Sequence, residues 1–137
     1  MADEEGEEHR APADQEQAFG PVERALAIEL LRIHEESYGK GAREARVHVL
    51  GDIVFCLLDG LELLPNEDFL IGAGKGDAVV DVGMRYQQAI ETTFRAAVER
   101  ATGRRVVSFA SITKLSPHYV VEVFRLAEQR PAPLPEV

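Results

Sequence analysis

Four basic side chains are the groups in this chain best suited to hold an anion. Lys40 and Arg43 lie in Gly39-Lys40-Gly41-Ala42-Arg43, which leads into a strand pattern, and Arg104 and Arg105 follow Gly103 and open another. If those strand ends meet in space, they make a basic rim able to take a carboxylate, phosphate or bicarbonate through charge-assisted hydrogen bonds. The same charges also read as ordinary surface residues, with Arg104 and Arg105 offsetting the negative end of a helix. A second glycine-rich run, Gly72-Ala73-Gly74-Lys75-Gly76-Asp77, invites a phosphate-loop reading, because a glycine turn before a helix presents free backbone N–H groups. Gly76 stands where such a loop needs Ser or Thr to hold magnesium, so the run reads as a connector between two helices.

Other chemistry is not assembled locally. His9, His34, His48 and His118 are scattered, and no pair has metal-ligand spacing on one face. Ser108, Ser111, Thr113 and Ser116 lie outside any nucleophile-elbow motif. No carboxylate pair sits in an apolar setting that would split its pKa values. The residues therefore assign no catalytic group, no metal site and no cofactor. Cys56 is the single cysteine, inside Ile53-Val54-Phe55-Cys56-Leu57-Leu58, where a thiol packs as a small hydrophobe. An intrachain disulfide is excluded.

A chain of 137 residues has room for one domain. Residues 1–19 carry seven acids against one base, so −6 of the net −9 lies in that lead. Such an acidic segment cannot bury enough apolar surface to order itself and reads as a disordered tail. The charge balance argues against a nucleic-acid partner, because phosphate backbones are bound by clustered Lys and Arg. No run approaches the ~18–20 continuous apolar residues of a membrane span, so direct membrane insertion is not expected. The polar, acidic N-terminus does not resemble a signal peptide, which makes the cytoplasm the expected compartment.

The elements that must position these side chains follow from hydrophobic period. Pro21 suits the first turn of a helix whose apolar residues Leu26, Ile28, Leu30, Leu31 and Ile33 recur at helical spacing. Glu44–Val49 alternates polar and apolar as a half-buried strand does, and Gly51 supplies the positive φ of a tight reversal into Ile53–Leu58. Pro65 opens a short helix. Asp77 is expected to cap a long one over Ala78–Thr102, with Val79, Val82, Tyr86, Ile90, Phe94, Ala97, Val98 and Ala101 as its apolar stripe. Gly83 is a point where that helix could kink, and Gly103 ends it. Arg105–Ile112 and Tyr119–Ala127 form a second β pair. The expected fold is α+β: a two-layer αββ(α)αββ domain over residues 20–128, with an antiparallel four-stranded sheet and the long helix on one face. Residues 129–137 read as a proline-rich C-terminal tail.

Both helices can cover only one face of such a sheet. Ile53–Leu58 is apolar on both faces, so the second face should carry exposed apolar side chains. A symmetric homodimer that buries this face is the economical solution. The alternative is a monomer whose short helix or termini cover it.

The order of elements, together with Gly39-Lys40-Gly41 before Ala45-Arg46-Val47, the Gly51-Asp52 hairpin, the helix exit Val98-Glu99-Arg100-Ala101-Thr102-Gly103-Arg104, and the strands Val106-Val107-Ser108-Phe109 and Val121-Glu122-Val123-Phe124, resembles the MpsC-like family. The resemblance runs from Val22 to Leu126. Ala42 and Ser111-Ile112 depart from the Pro and Ser-Asp often found at those points. The resemblance implies a small cytoplasmic bacterial protein, long grouped as a domain of unknown function, that works beside a membrane ion or bicarbonate transport system. It supplies no catalytic residues. The preferred reading is a non-enzymatic, dimeric accessory or binding protein with a membrane transport protein as partner. A small-anion or metabolite sensor using the rim of Lys40, Arg43, Arg104 and Arg105 is the alternative, and an uncharacterised enzyme is a third.

Overall fold

The computed structural model describes residues 20–129, so both tails lie outside the described residues. The elements are α1 (Pro21–Tyr38), β1 (Ala42–Leu50), β2 (Ile53–Leu61), α2 (Pro65–Gly72), α3 (Gly76–Thr102), β3 (Val106–Leu115) and β4 (His118–Leu126). The strands form one antiparallel sheet in the order β1-β2-β4-β3. This is the expected α+β architecture.

Local chemistry sets the boundaries. Pro21 occupies the first turn of α1, and Glu23 turns back to accept the Gly20 N–H at 2.8 Å. The other Glu23 oxygen accepts the Val49 N–H at 2.7 Å, which ties the start of α1 to the end of β1. Gly103 closes α3 in the left-handed region at φ 68°, its N–H donating to the Glu99 carbonyl. Gly51, at φ 59°, makes the reversal between β1 and β2. The β3–β4 connection is tighter than expected: β3 runs on to Leu115, leaving Ser116-Pro117, joined by a cis peptide, as the turn.

Two expectations for α3 need correction. Lys75, not Asp77, is the residue before the helix, and Asp77 lies inside the first turn, where its charge suits the positive helix end. Gly83 does not break the helix. It is buried, and a β-carbon built there would lie 3.4 Å from the Tyr38 hydroxyl and 3.7 Å from Thr113, so its role is close approach of helix to sheet. The buried stripe accordingly runs Val79, Gly83, Gln87, Ile90, Phe94, Ala97 and Val98, while Val82 and Tyr86 are exposed.

α1 and α3 pack together on one face of the sheet. Leu26, Leu30 and Ile33 meet Ile90, Phe94 and Val98 over Val47, Val54, Leu58, Val120 and Phe124. Phe109 bridges Phe94 and Phe124, with ring centroids 6.5 and 5.0 Å away. α2 packs against α3.

Candidate functional site

The four basic residues of the expected rim do not meet. Lys40 and Arg43 stand at the end of the sheet where β1 begins and β2 finishes. Arg104 and Arg105 stand at the other end, beside the Gly51-Asp52 turn and Ala127. A strand of this length separates the two ends by roughly 25 Å. Arg43 is exposed and only 3.9 Å from Asp59, and Arg105 is also exposed.

Arg104 is a structural staple. Its guanidinium donates to the Gly51 carbonyl at 3.0 Å, to the Ala127 carbonyl at 2.6 Å and to the Asp52 carboxylate. It thus joins the helix exit, the β1–β2 turn and the end of β4. Arg104→Ala is expected to lower unfolding free energy by about 2 kcal/mol, since bonds to a charged group contribute about 1.5–3 kcal/mol. Urea melts of the variant would measure this.

Lys40 is buried in a polar centre between the helices and the sheet. Its ammonium donates to both Glu67 oxygens at 2.7 and 2.8 Å, with the two side chains 2% and 8% exposed. Glu67 also accepts the Leu64 N–H at 2.9 Å and the Tyr38 hydroxyl at 3.3 Å. The Lys40 ammonium lies 4.4 Å from the Tyr38 ring centroid, and His34 stacks on the same ring at 5.2 Å. His34 Nδ1–H donates to the Lys40 carbonyl at 3.1 Å.

Burial dominates the titration of this centre. It lowers the His34 pKa to about 4, so the ring is neutral at pH 7. It lowers His118 too, reinforced by the Lys40 charge, and it raises the Tyr38 phenol. Lys40 is lowered by burial, with Glu67 opposing. Burial pushes the Glu67 carboxyl up, yet the bonds from Lys40 and Leu64 outweigh it and leave the group below its usual range. The cavity among His34, Tyr38, Lys40, Gln87, Thr113 and His118 measures about 10 Å³. That is about one water-sized sphere, too small for a substrate. The bonds of this centre tie the end of α1 and the start of β1 to α2.

Deeper in the sheet, Glu122 is 1% exposed, and neither of its oxygens has a hydrogen-bond partner among the described residues. Burial raises its pKa well above the ordinary value. Cys56 pairs with it across the strands, and burial pushes the thiol up as well.

The remaining candidate is the sheet face that the helices do not cover. Register arranges it in rows across β1, β2, β4 and β3. One row is Glu44, Asp59, Tyr119, Lys114; the next is Arg46, Leu57, Val121, Ile112; the third is His48, Phe55, Val123, Ala110. Phe55, Leu57, Val121 and Val123 are half-buried, and Ile112 is 56% exposed. The first row carries acid at the β1 side and base at the β3 edge. No described helix packs over these rows, and no described helix is long and apolar enough to cross a membrane.

Comparison with curated proteins returned no match, and comparison with solved structures returned none. The family described as "Na+-translocating membrane potential-generating system (MpsC)" matches residues 19–128, a span that holds every described helix and strand, and the chain therefore belongs to the MpsC family.

Proposed function

We propose that this MpsC-family protein is a non-enzymatic accessory module that works as a symmetric homodimer through its open sheet face. Its expected setting is the cytoplasmic side of a membrane ion or bicarbonate transport system. The observation that carries the reading is the apolar band Phe55, Leu57, Val121, Val123 and Ile112 on a face that no described element packs over. A second copy suits this face for two reasons. Four strands about 4.8 Å apart and about 30 Å long offer roughly 570 Å² per copy, close to the lower size of specific interfaces. The rows are also self-complementary. A two-fold axis parallel to the strands sets Leu57 and Phe55 over Val121 and Val123 of the second copy, and Glu44 over its Lys114.

The transport setting rests on the family description, which names a sodium-translocating system. No described helix is long and apolar enough to span a bilayer, and the partner in this reading is a membrane-embedded transport protein.

Light scattering on eluted fractions tests the dimer. The expected mass is about twice the 15.1 kDa of one chain at micromolar concentration. Phe55→Glu places a charge in the apolar band and is expected to give a folded monomer, with its helix and strand signal intact. A wild-type chain that elutes at 15.1 kDa throughout this range overturns the reading.

A further inference from the structure

The corner where β3 follows α3 holds two exposed arginines, Arg105 and Arg125. The side chains of Arg105 and Arg125 make no hydrogen bond or ion pair among the described residues, and both are exposed. Val106 pairs with Leu126, both buried against the helices. Arg105 and Arg125, each one residue before a member of that pair, therefore project from the opposite side of the sheet. The register shift between Val106 and Ser108 bulges Val107 outward and sets Ser108 opposite Arg125. Side chains in this diagonal relation stand about 7–8 Å apart.

The two arginines line a depression of about 380 Å³ together with Asp52, Val107, Leu126, Ala127 and Glu128. Of its acids, Asp52 is held by Arg104 through one carboxylate oxygen, and Glu128 has an interaction of its own. Two positive charges are left side by side in a concave site. Each guanidinium offers a planar fork of N–H donors. One carboxylate has oxygens enough for one fork. Two adjacent forks call for an anion with at least three oxygens and about two negative charges, which is the chemistry of phosphate.

We propose that Arg105 and Arg125 clamp a phosphate dianion, either free or as a monoester of a small metabolite. The site lies on the outermost row of the open sheet face, beside Asp52, and a homodimer through that face has to leave this row uncovered. It replaces the four-residue rim expected from sequence, keeping Arg105 and adding Arg125.

Isothermal titration calorimetry on the full chain tests the clamp, using inorganic phosphate and glycerol phosphate against sodium chloride of equal ionic strength. Saturable binding of either phosphate is expected, with glycerol phosphate alone binding if the site requires the ester. Arg105→Gln and Arg125→Gln should each weaken binding about tenfold and the double variant should abolish it, because each removes one charged fork. Arg43→Gln, at the far end of the sheet, should bind as the wild type does. Both clamp residues are exposed, so the variants should keep the wild-type melting temperature. Absence of heat above the chloride control in the wild type, or binding unchanged in the double variant, overturns the proposal.

Discussion

Glu67→Ala is expected to remove about 3–5 kcal/mol of unfolding free energy, the usual cost of leaving a buried charge without its partner. The Lys40 ammonium would lose both oxygens that now lie 2.7 and 2.8 Å away. The Tyr38 hydroxyl and the Leu64 N–H would lose an acceptor in the same step. A typical domain has only about 5–15 kcal/mol in total, so the variant should be close to unfolded at ambient temperature. Lys40→Met should lose a similar amount, because it strands the carboxylate instead. The double variant, Lys40→Met with Glu67→Met, should recover a large part of the loss, since no buried charge remains. Its recovery is incomplete because Tyr38 and Leu64 stay unsatisfied. Urea melts of the two single variants and the double variant make a thermodynamic cycle. Single losses below about 1 kcal/mol would mean that water screens the pair, as it does for surface ion pairs.

Glu122→Met should act in the opposite direction and stabilise the protein by about 1–3 kcal/mol near pH 8, the usual cost of burying a polar group without a hydrogen-bond partner. The carboxyl is 1% exposed and has no hydrogen-bond partner among the described residues. Its pKa is raised by burial, so the folded state holds a proton that the unfolded state releases at lower pH. The wild type therefore keeps this contribution fully below the unfolded carboxylate pKa of about 4.5 and loses it as pH rises toward the raised folded value. The methionine variant has no such group. Its advantage over the wild type should be larger at pH 8 than at pH 5 in paired thermal melts. An advantage that stays constant across that range would mean that Glu122 does not titrate with a raised pKa.

These two residues also mark where sequence reasoning stopped. The long helix, its glycine exit and the two hairpins were legible because hydrophobic period and turn chemistry are local signals. Glu122 alternates with Val121 and Val123, and Arg125 with Phe124 and Leu126, so the strand pattern was clear. Which of its faces the helices would cover was not. The register decides it: Glu122 falls in line with Cys56 on the helix side, which puts Val121 and Val123 on the other. The α3 stripe failed for a related reason. Tyr86 and Val82 are the more apolar residues, yet Gly83 allows the helix to sit close to Thr113, and Gln87 follows it inward. Lys40 looked like a surface cation because its partner, Glu67, is 27 residues away on a different element. Long-range pairing of that kind leaves no periodic trace. The rim dissolved because the two glycine turns that carry its halves fall at opposite ends of one sheet.

Arg104 binds the β1–β2 turn and the end of β4 at the edge of a depression that Gly20, Pro21 and Leu126 also line. The two ends of the described residues, near Gly20 and Ala127, thus lie at neighbouring points. Reporter proteins or affinity handles could be joined at either point, or the whole body spliced into a host loop, without a linker having to cross the strands. Joining the two points and opening the chain at Ser116-Pro117 would give a permuted version of the same architecture.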